Sequence, residues 1–265
     1  MMTGAAIVVF FFLVALGGPV VARQNPLTQD LSHRLSAPTL RHPFGLDSLG
    51  RDVSTRVVYG ARISLYAGAV VVAAALIVGT AAGMVAGWRG GWWDETLMRV
   101  TDMFLAFPSL VLAMAISAIL RPSLGTALLA ISVTAWPFYA RIARAQVLSL
   151  RNREYVEAAR AEGATDATIL VRHLIPNSLA PLLVQATLDV GNVILILAGL
   201  SFIGFGAQPP TPEWGLMVSD GRTFLMDQWW ISTFPAVAIL MLVLGFNLLG
   251  DGVRDLLDPR LRKTG

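Results

Sequence analysis

The chain has 265 residues, 55% hydrophobic and only 14% charged, with a mean hydropathy of +0.65 and a formal charge of +3. Soluble domains carry roughly 25% charged residues, so this composition excludes a soluble globular protein and indicates an integral membrane one. Cysteine is absent, which excludes disulfides, thiolate metal sites and a thiol nucleophile, and no GxxxxGK[ST] run occurs, which excludes ATP chemistry in this chain.

A membrane-crossing helix needs about 20 largely apolar residues. Gly4 to Ala22 is the first such stretch. No basic segment precedes it, which favours a span over a cleaved signal. The abrupt Met1-Met2 leaves room for a longer natural N-terminus. Arg23 to Arg62 reads as a polar loop of about 40 residues. Within it, Pro43 and Gly45 mark a turn, and Asp47, Arg51 and Asp52 form a solvated ion cluster. His33 and His42 are too isolated to suggest a metal site.

Ile63 to Trp88 is the second span. Ala75, Gly79, Gly83 and Gly87 recur every four residues on one face, and small residues at that spacing let helix backbones approach closely in lipid. The stripe serves either internal packing or contact with a partner membrane chain. Gly90 to Glu95 makes a tight turn with interfacial tryptophans. Leu97 to Leu120 is the third span, with Asp102 near its start and a kink at Pro108. After a turn at Arg121 to Gly125, the fourth span runs from Thr126 to Leu148, with Trp136-Pro137 breaking its middle. Arg141, Arg144, Arg151 and Arg153 mark its cytoplasmic exit.

Residues 154–181 are polar without being linker-like. Glu157-Ala158-Ala159-Arg160-Ala161-Glu162 consists of good helix formers. Gly163 stops the run, since glycine accepts the left-handed conformation at little cost. Thr165 or Asp166 caps a second short helix. Ile169, Leu170, His173 and Leu174 share one face of it, and Pro176 ends it. An apolar face offered outside the bilayer suggests a partner protein.

Leu182 to Phe205 is the fifth span. Asp189 and Asn192 lie inside it, and a carboxylate there must face protein or a water-filled path. It is either a hydrogen-bonded bundle residue or part of a translocation path. The proline-rich stretch Ala207 to Gly215 reads as a stiff, extended external segment, and Trp229 to Leu249 as the sixth span.

Several of these stretches resemble one family. Glu157-Ala158-Ala159, Gly163 and Leu174-Ile175-Pro176 are similar to the EAA loop of bacterial ABC importer permeases. His42 to Asp52 with Tyr59 to Leu65, Asp102 to Pro108, Ser201 to Gly215 and the tail Asn247 to Arg262 resemble the C-type permease subunit of dipeptide, oligopeptide and nickel importers. The resemblance implies an all-α polytopic protein with six transmembrane helices and the type I ABC importer permease fold. Residues 1–62 would be a first helix plus external loop, and 63–265 the permease core. It implies a bacterial inner-membrane location and a path for di- or oligopeptides worked by alternating access. The loop around Glu157, Ala158, Ala159, Gly163, Ile169, Leu170, Leu174 and Pro176 would couple to the ATPase. The implied partners are a second permease, two cytoplasmic ATP-binding domains, an extracytoplasmic substrate-binding protein and lipid. No cofactor and no nucleic acid are expected. Relatives often carry a glutamate where this chain has Leu197, and no role is carried over to that position.

With both termini inside, basic residues number twelve inside against eight outside, although the first external loop alone holds six arginines. Long loops obey the charge rule poorly. Importers of nickel or other small solutes share this permease type. A secondary transporter with broken helices and an intramembrane acid is the alternative from another class. A membrane enzyme is disfavoured by the lack of HExxH and GxSxG runs.

Overall fold

A computed structural model describes residues 2–22 and 25–257. The last part of the tail motif, Asp258 to Arg262, and Arg23 of the first loop lie outside the described residues. Among those described, the structure is helical and has no strand, only an isolated bridge between Leu46 and Asp52. The helices are α1 (Met2–Val21), α2 (Val53–Arg89), α3 (Gly91–Leu105), α4 (Ser109–Ile119), α5 (Leu124–Leu150), α6 (Glu154–Ala161), α7 (Asp166–Ile169), α8 (Ile175–Ile203), α9 (Trp214–Gly221) and α10 (Trp230–Leu257).

Four segments are long and apolar enough to cross a membrane: α2, α5, α10 and the run from α7 through α8. The third expected span is broken outright rather than kinked. Its halves α3 and α4 meet at 88° across Pro108. They count as a fifth span only if the pair is taken together. In α1 the apolar part, Met2–Gly18, is shorter than in the others. It packs Val8, Phe11 and Ala15 against Leu242 and Phe246 of α10. Six spans therefore require both the broken pair and α1.

The small-residue stripe packs internally. The backbone of α2 at Gly79, Gly83 and Gly87 lies against the Trp136, Ala140 and Arg144 carbonyls of α5, one turn apart on each helix. The reading of this face as a contact with a partner chain is thereby corrected. Its glycines are already covered by this chain's own helix.

Proline positions separate the expected breaks from the real ones. Pro137 does not break the fourth span; α5 runs through it, with Pro137 buried. Pro176 does not end the second short helix. Leu170–Leu174 form a π-helical turn, with the Ile175 N–H donating to the Leu170 carbonyl, and Pro176 sits in the first turn of α8. A proline lacks the N–H and crowds the carbonyl four residues earlier. A π turn shifts that ladder and lets the helix continue.

The segment expected to be an external loop is more folded than expected. The loop ends at Asp52, not Arg62, because Asp52 caps α2 by accepting from the Thr55 N–H at 2.7 Å. Asp47, Arg51 and Asp52 are buried rather than solvated. Asp47 accepts from Arg51 Nε at 2.6 Å and from the Leu49 and Arg51 N–H groups at 2.9 Å. Arg56, 1% exposed, donates to the Pro26 and Pro210 carbonyls at 3.3 Å. His42 is not isolated; its Nδ1 lies 2.7 Å from the Asp52 carboxylate. Burial works to raise the Asp52 pKa, but bonds from Ser54, Thr55 and His42 outweigh it and hold the group below the usual carboxylate range.

The proline-rich stretch is likewise not a free external segment. Trp214 and Gly215 open α9, and Trp214 is fully buried, donating Nε1–H to the Val57 carbonyl at 2.9 Å. Glu213 caps α9 through the Gly215 and Leu216 N–H groups at 3.0 and 2.9 Å. Burial pushes its carboxyl pKa up, with those two bonds opposing the shift.

Candidate functional site

Two places carry the residues singled out from the sequence. The first is the loop from α6 to the start of α8. Its local geometry is as expected: α6 ends at Gly163, whose φ is +85°, and Thr165 caps α7 by accepting from the Thr168 N–H. No neighbouring atom lies within 4 Å of a Cβ built at Gly163. Glycine is thus required there by backbone conformation, not by space.

The direction of the apolar face is the correction. Ile169 and Leu174 are fully buried within this chain, and Leu170 is half-buried against them. With Val156 and Ala159 of α6, they pack into a cluster with Ala75 and Met84 of α2 and Tyr139, Ala143 and Val147 of α5. That face fastens the loop to the spans and is not free for a partner. Glu157, Ala158, Gly163 and Pro176 are exposed. So are Tyr155 and Val171, which sequence reasoning passed over.

Two further ties were not visible in sequence. The Arg160 guanidinium stacks over the Trp88 ring at 4.7 Å, a cation–π contact between α6 and the end of α2. Arg151 donates to the Gly87 carbonyl at 3.1 Å. The C-terminal end of α5 is also bonded to α3, Arg144 reaching both Asp94 carboxylate oxygens at 2.5 and 2.7 Å. Displacing α6 therefore displaces the ends of α2 and α5 with it.

The second place is a cavity of about 180 Å³ beside α8, lined by Ser109, Thr134, Phe138, Gln185, Asp189 and Asn192 among others. Asp189 is half-buried and accepts from Gln185 Nε2 at 3.0 Å, one turn earlier. Asn192 and Ser109 are exposed on the surface of the chain. The structure thus brings Asp189 and Asn192 to one cavity and adds Gln185, Ser109 and Thr134. A carboxylate, two amides and two hydroxyls are costly on a lipid-facing surface, so this side of the bundle requires protein or water against it.

Solved structures resembling this fold include the methionine ABC transporter MetNI in inward-facing conformations. One of its chains superposes with a TM-score of 0.61 at 20% identity, covering 76% of this chain and 96% of that one. An amino acid ABC transporter superposes with a TM-score of 0.58 at 16% identity, covering 77% of this chain and 95% of that one. Sequence relatives are much nearer. A dipeptide transport system permease protein of Alkalihalophilus pseudofirmus is 47% identical over 98% of this chain and 85% of its own length. A probable D,D-dipeptide transport system permease protein of Escherichia coli K12 is 48% identical over 97% of this chain and 87% of its own. A glutathione transport system permease protein of Escherichia coli is 41% identical over 98% and 86%. Residues 79–263 match the family of binding-protein-dependent transport system inner membrane components, and with relatives this similar along nearly its whole length, the chain belongs to that family.

Proposed function

We propose that this chain is the C-type permease subunit of an ATP-driven peptide importer. It carries no nucleotide site and works as a membrane component. The observation that carries this is the 47–48% identity, over nearly the full chain, to permeases of dipeptide transport systems. The geometry supports it by supplying a transmission element. α6 and α7 form a loop whose inner face is fastened to α2 and α5 and whose outer face, with Glu157, Ala158 and Val171, is exposed.

In this reading the ATPase domains dock on that outer face. Their closure moves the loop rigidly, and the ends of α2 and α5 follow through the Arg160–Trp88 stack and the Arg151–Gly87 bond. The spans then tilt to open the path outward, where a binding protein delivers substrate. A second, similar permease covers the side of the bundle that holds Asp189 and Asn192, and the path runs there. The chain crosses the bacterial inner membrane six times, counting α1 and the broken pair. Residues 1–62 add a helix and an external cap to the core formed by 63–265.

The test is reconstitution with the partner subunits in proteoliposomes. Uptake of a labelled dipeptide should require ATP and binding protein and should persist when ion gradients are collapsed. Uptake driven by an ion gradient without ATP would instead establish a secondary transporter. ATP-dependent uptake of Ni²⁺ with no peptide uptake would refute the substrate assignment.

A further inference from the structure

The cavity beside α8 has a one-sided chemistry. Its polar lining consists of the Asp189 carboxylate, the Gln185 and Asn192 amides and the Ser109 and Thr134 hydroxyls, and it holds no basic side chain. The rest, including Phe138, Val193 and Ile196, is apolar. Gln185 engages one carboxylate oxygen of Asp189. The buried Tyr139 hydroxyl lies beside the same carboxylate. Arg141 and Arg144, which follow on α5, are turned away to Asp102 and Asp94 at 2.6 and 2.5 Å. A cation stabilises the charged form of a carboxylate inside a span, the more so in a low-dielectric surround, and none faces Asp189 among the described residues.

We infer that Asp189 is a contact on the translocation path for the α-ammonium group of a peptide substrate, with Gln185, Asn192 and Ser109 as flanking hydrogen-bonding groups. This rests on the reading of Asp189 and Asn192 as path-lining. An ammonium has three donors and no acceptor, which suits a carboxylate beside amide and hydroxyl oxygens. The volume of about 180 Å³ equals roughly six waters at ~30 Å³ each. It admits the ammonium end of a peptide and its first carbons, not a long chain. Gln185 orients the carboxylate, whose two oxygens offer about four lone-pair sites, more than Gln185 and Tyr139 together can fill. Substrate carboxylates find no partner there, so the contact discriminates by charge sign and is indifferent to side-chain identity.

The test uses the assembled importer in proteoliposomes, with dialanine as substrate. Asp189→Asn keeps the Gln185 bond and the volume while removing the charge. Dialanine uptake per ATP hydrolysed should fall about tenfold or more, the scale of losing one hydrogen bond to a charged group. Stimulation of ATP hydrolysis by loaded binding protein should persist, and Asp189→Glu should restore most uptake. A packing role alone would instead lower assembly and ATP hydrolysis together. Asn192→Lys, at an exposed position, brings a tethered ammonium to the same carboxylate and should block uptake to a similar degree. Uptake within twofold of wild type in Asp189→Asn, or in Asn192→Lys should the first variant not assemble, overturns the inference. Asn192→Cys separates the two levels of the reading, because the chain has no other cysteine. Labelling by a membrane-impermeant charged maleimide during turnover supports the path. Labelling together with normal uptake in Asp189→Asn sinks only the charge contact, whereas no labelling sinks the path reading and this inference with it.

Discussion

The close approach of α2 and α5 at Gly83 offers the sharpest test of the packing. At Gly83 an added Cβ would lie far inside van der Waals contact with the Ala140 carbonyl oxygen, and 2.9 Å from the Ala143 Cβ. The obstruction is largely backbone, so no side-chain rotation relieves it, and α2 and α5 must separate. Overpacking of this kind costs about 1–3 kcal/mol, set against a gain of up to about 1 kcal/mol from replacing a helical glycine by alanine. Gly83→Ala should therefore be destabilising, by up to about 2 kcal/mol on these terms, and Gly83→Leu by more, with loss of assembled complex. Gly17 of α1 supplies the opposite case. No atom lies within 4 Å of a Cβ built there, so Gly17→Ala should be neutral or stabilising. Thermal unfolding of the detergent-solubilised complex, read beside the amount in the membrane, measures both. A Gly83→Ala protein that melts at or above wild type would show that the close approach of α2 and α5 is not what the stripe provides.

Other expectations concern the loop and the external cap. Gly163→Val places a β-branched residue at φ +85°, costing roughly 1–2 kcal/mol or more. Membrane level should stay near wild type while uptake and the stimulation of ATP hydrolysis by binding protein are lost; normal uptake would remove this loop as the coupling element. The two sides of the loop should separate by phenotype. Val171→Asp, on the exposed side, should uncouple without destabilising, whereas Leu174→Ala, on the buried side, should cost about 2–5 kcal/mol and reduce the amount of folded protein, as quantified by membrane immunoblot and melting. Leu170→Asp should show both effects, since that residue is half-buried. Asp52 predicts an acid dependence. Its folded pKa lies below the ordinary carboxylate value, so its stabilising contribution is present above that ordinary value and is lost as pH falls through the lower, folded one. Asp52→Ala should cost about 0.5–2 kcal/mol at neutral pH, and its melting temperature should approach that of wild type in strong acid; a constant difference across the titration would refute the capping role.

What could be seen in the sequence was local. The apolar stretches that became α2, α5, α8 and α10, the left-handed glycine at Gly163 and the cap at Thr165 each depend on a few neighbouring residues, and each is present. The four-residue spacing of Gly79, Gly83 and Gly87 likewise reported a close helix contact, because side-chain size at one helical face is a property of the stripe itself. The motifs around Glu157 and Pro176 identified the family for the same reason: their spacing is written along the chain.

What needed the tertiary structure was the question of which surface meets which. Ile169 and Leu174 form an apolar face whether it meets a partner or this chain, and only the packing of α2 and α5 over it turned it inward. Asp47, Arg51 and Asp52 look like solvated charges until the fold buries them beside Arg56, for which the carbonyls of Pro26 and Pro210 replace water. The prolines show the limit most plainly. Pro108, Pro137 and Pro176 bring the same missing N–H and the same clash, yet the chain turns by 88° at the first, continues as one helix through the second and slips into a π turn before the third. A proline removes one hydrogen bond from the ladder; whether the helix breaks depends on the packing around it, and that packing comes from residues far away in the chain.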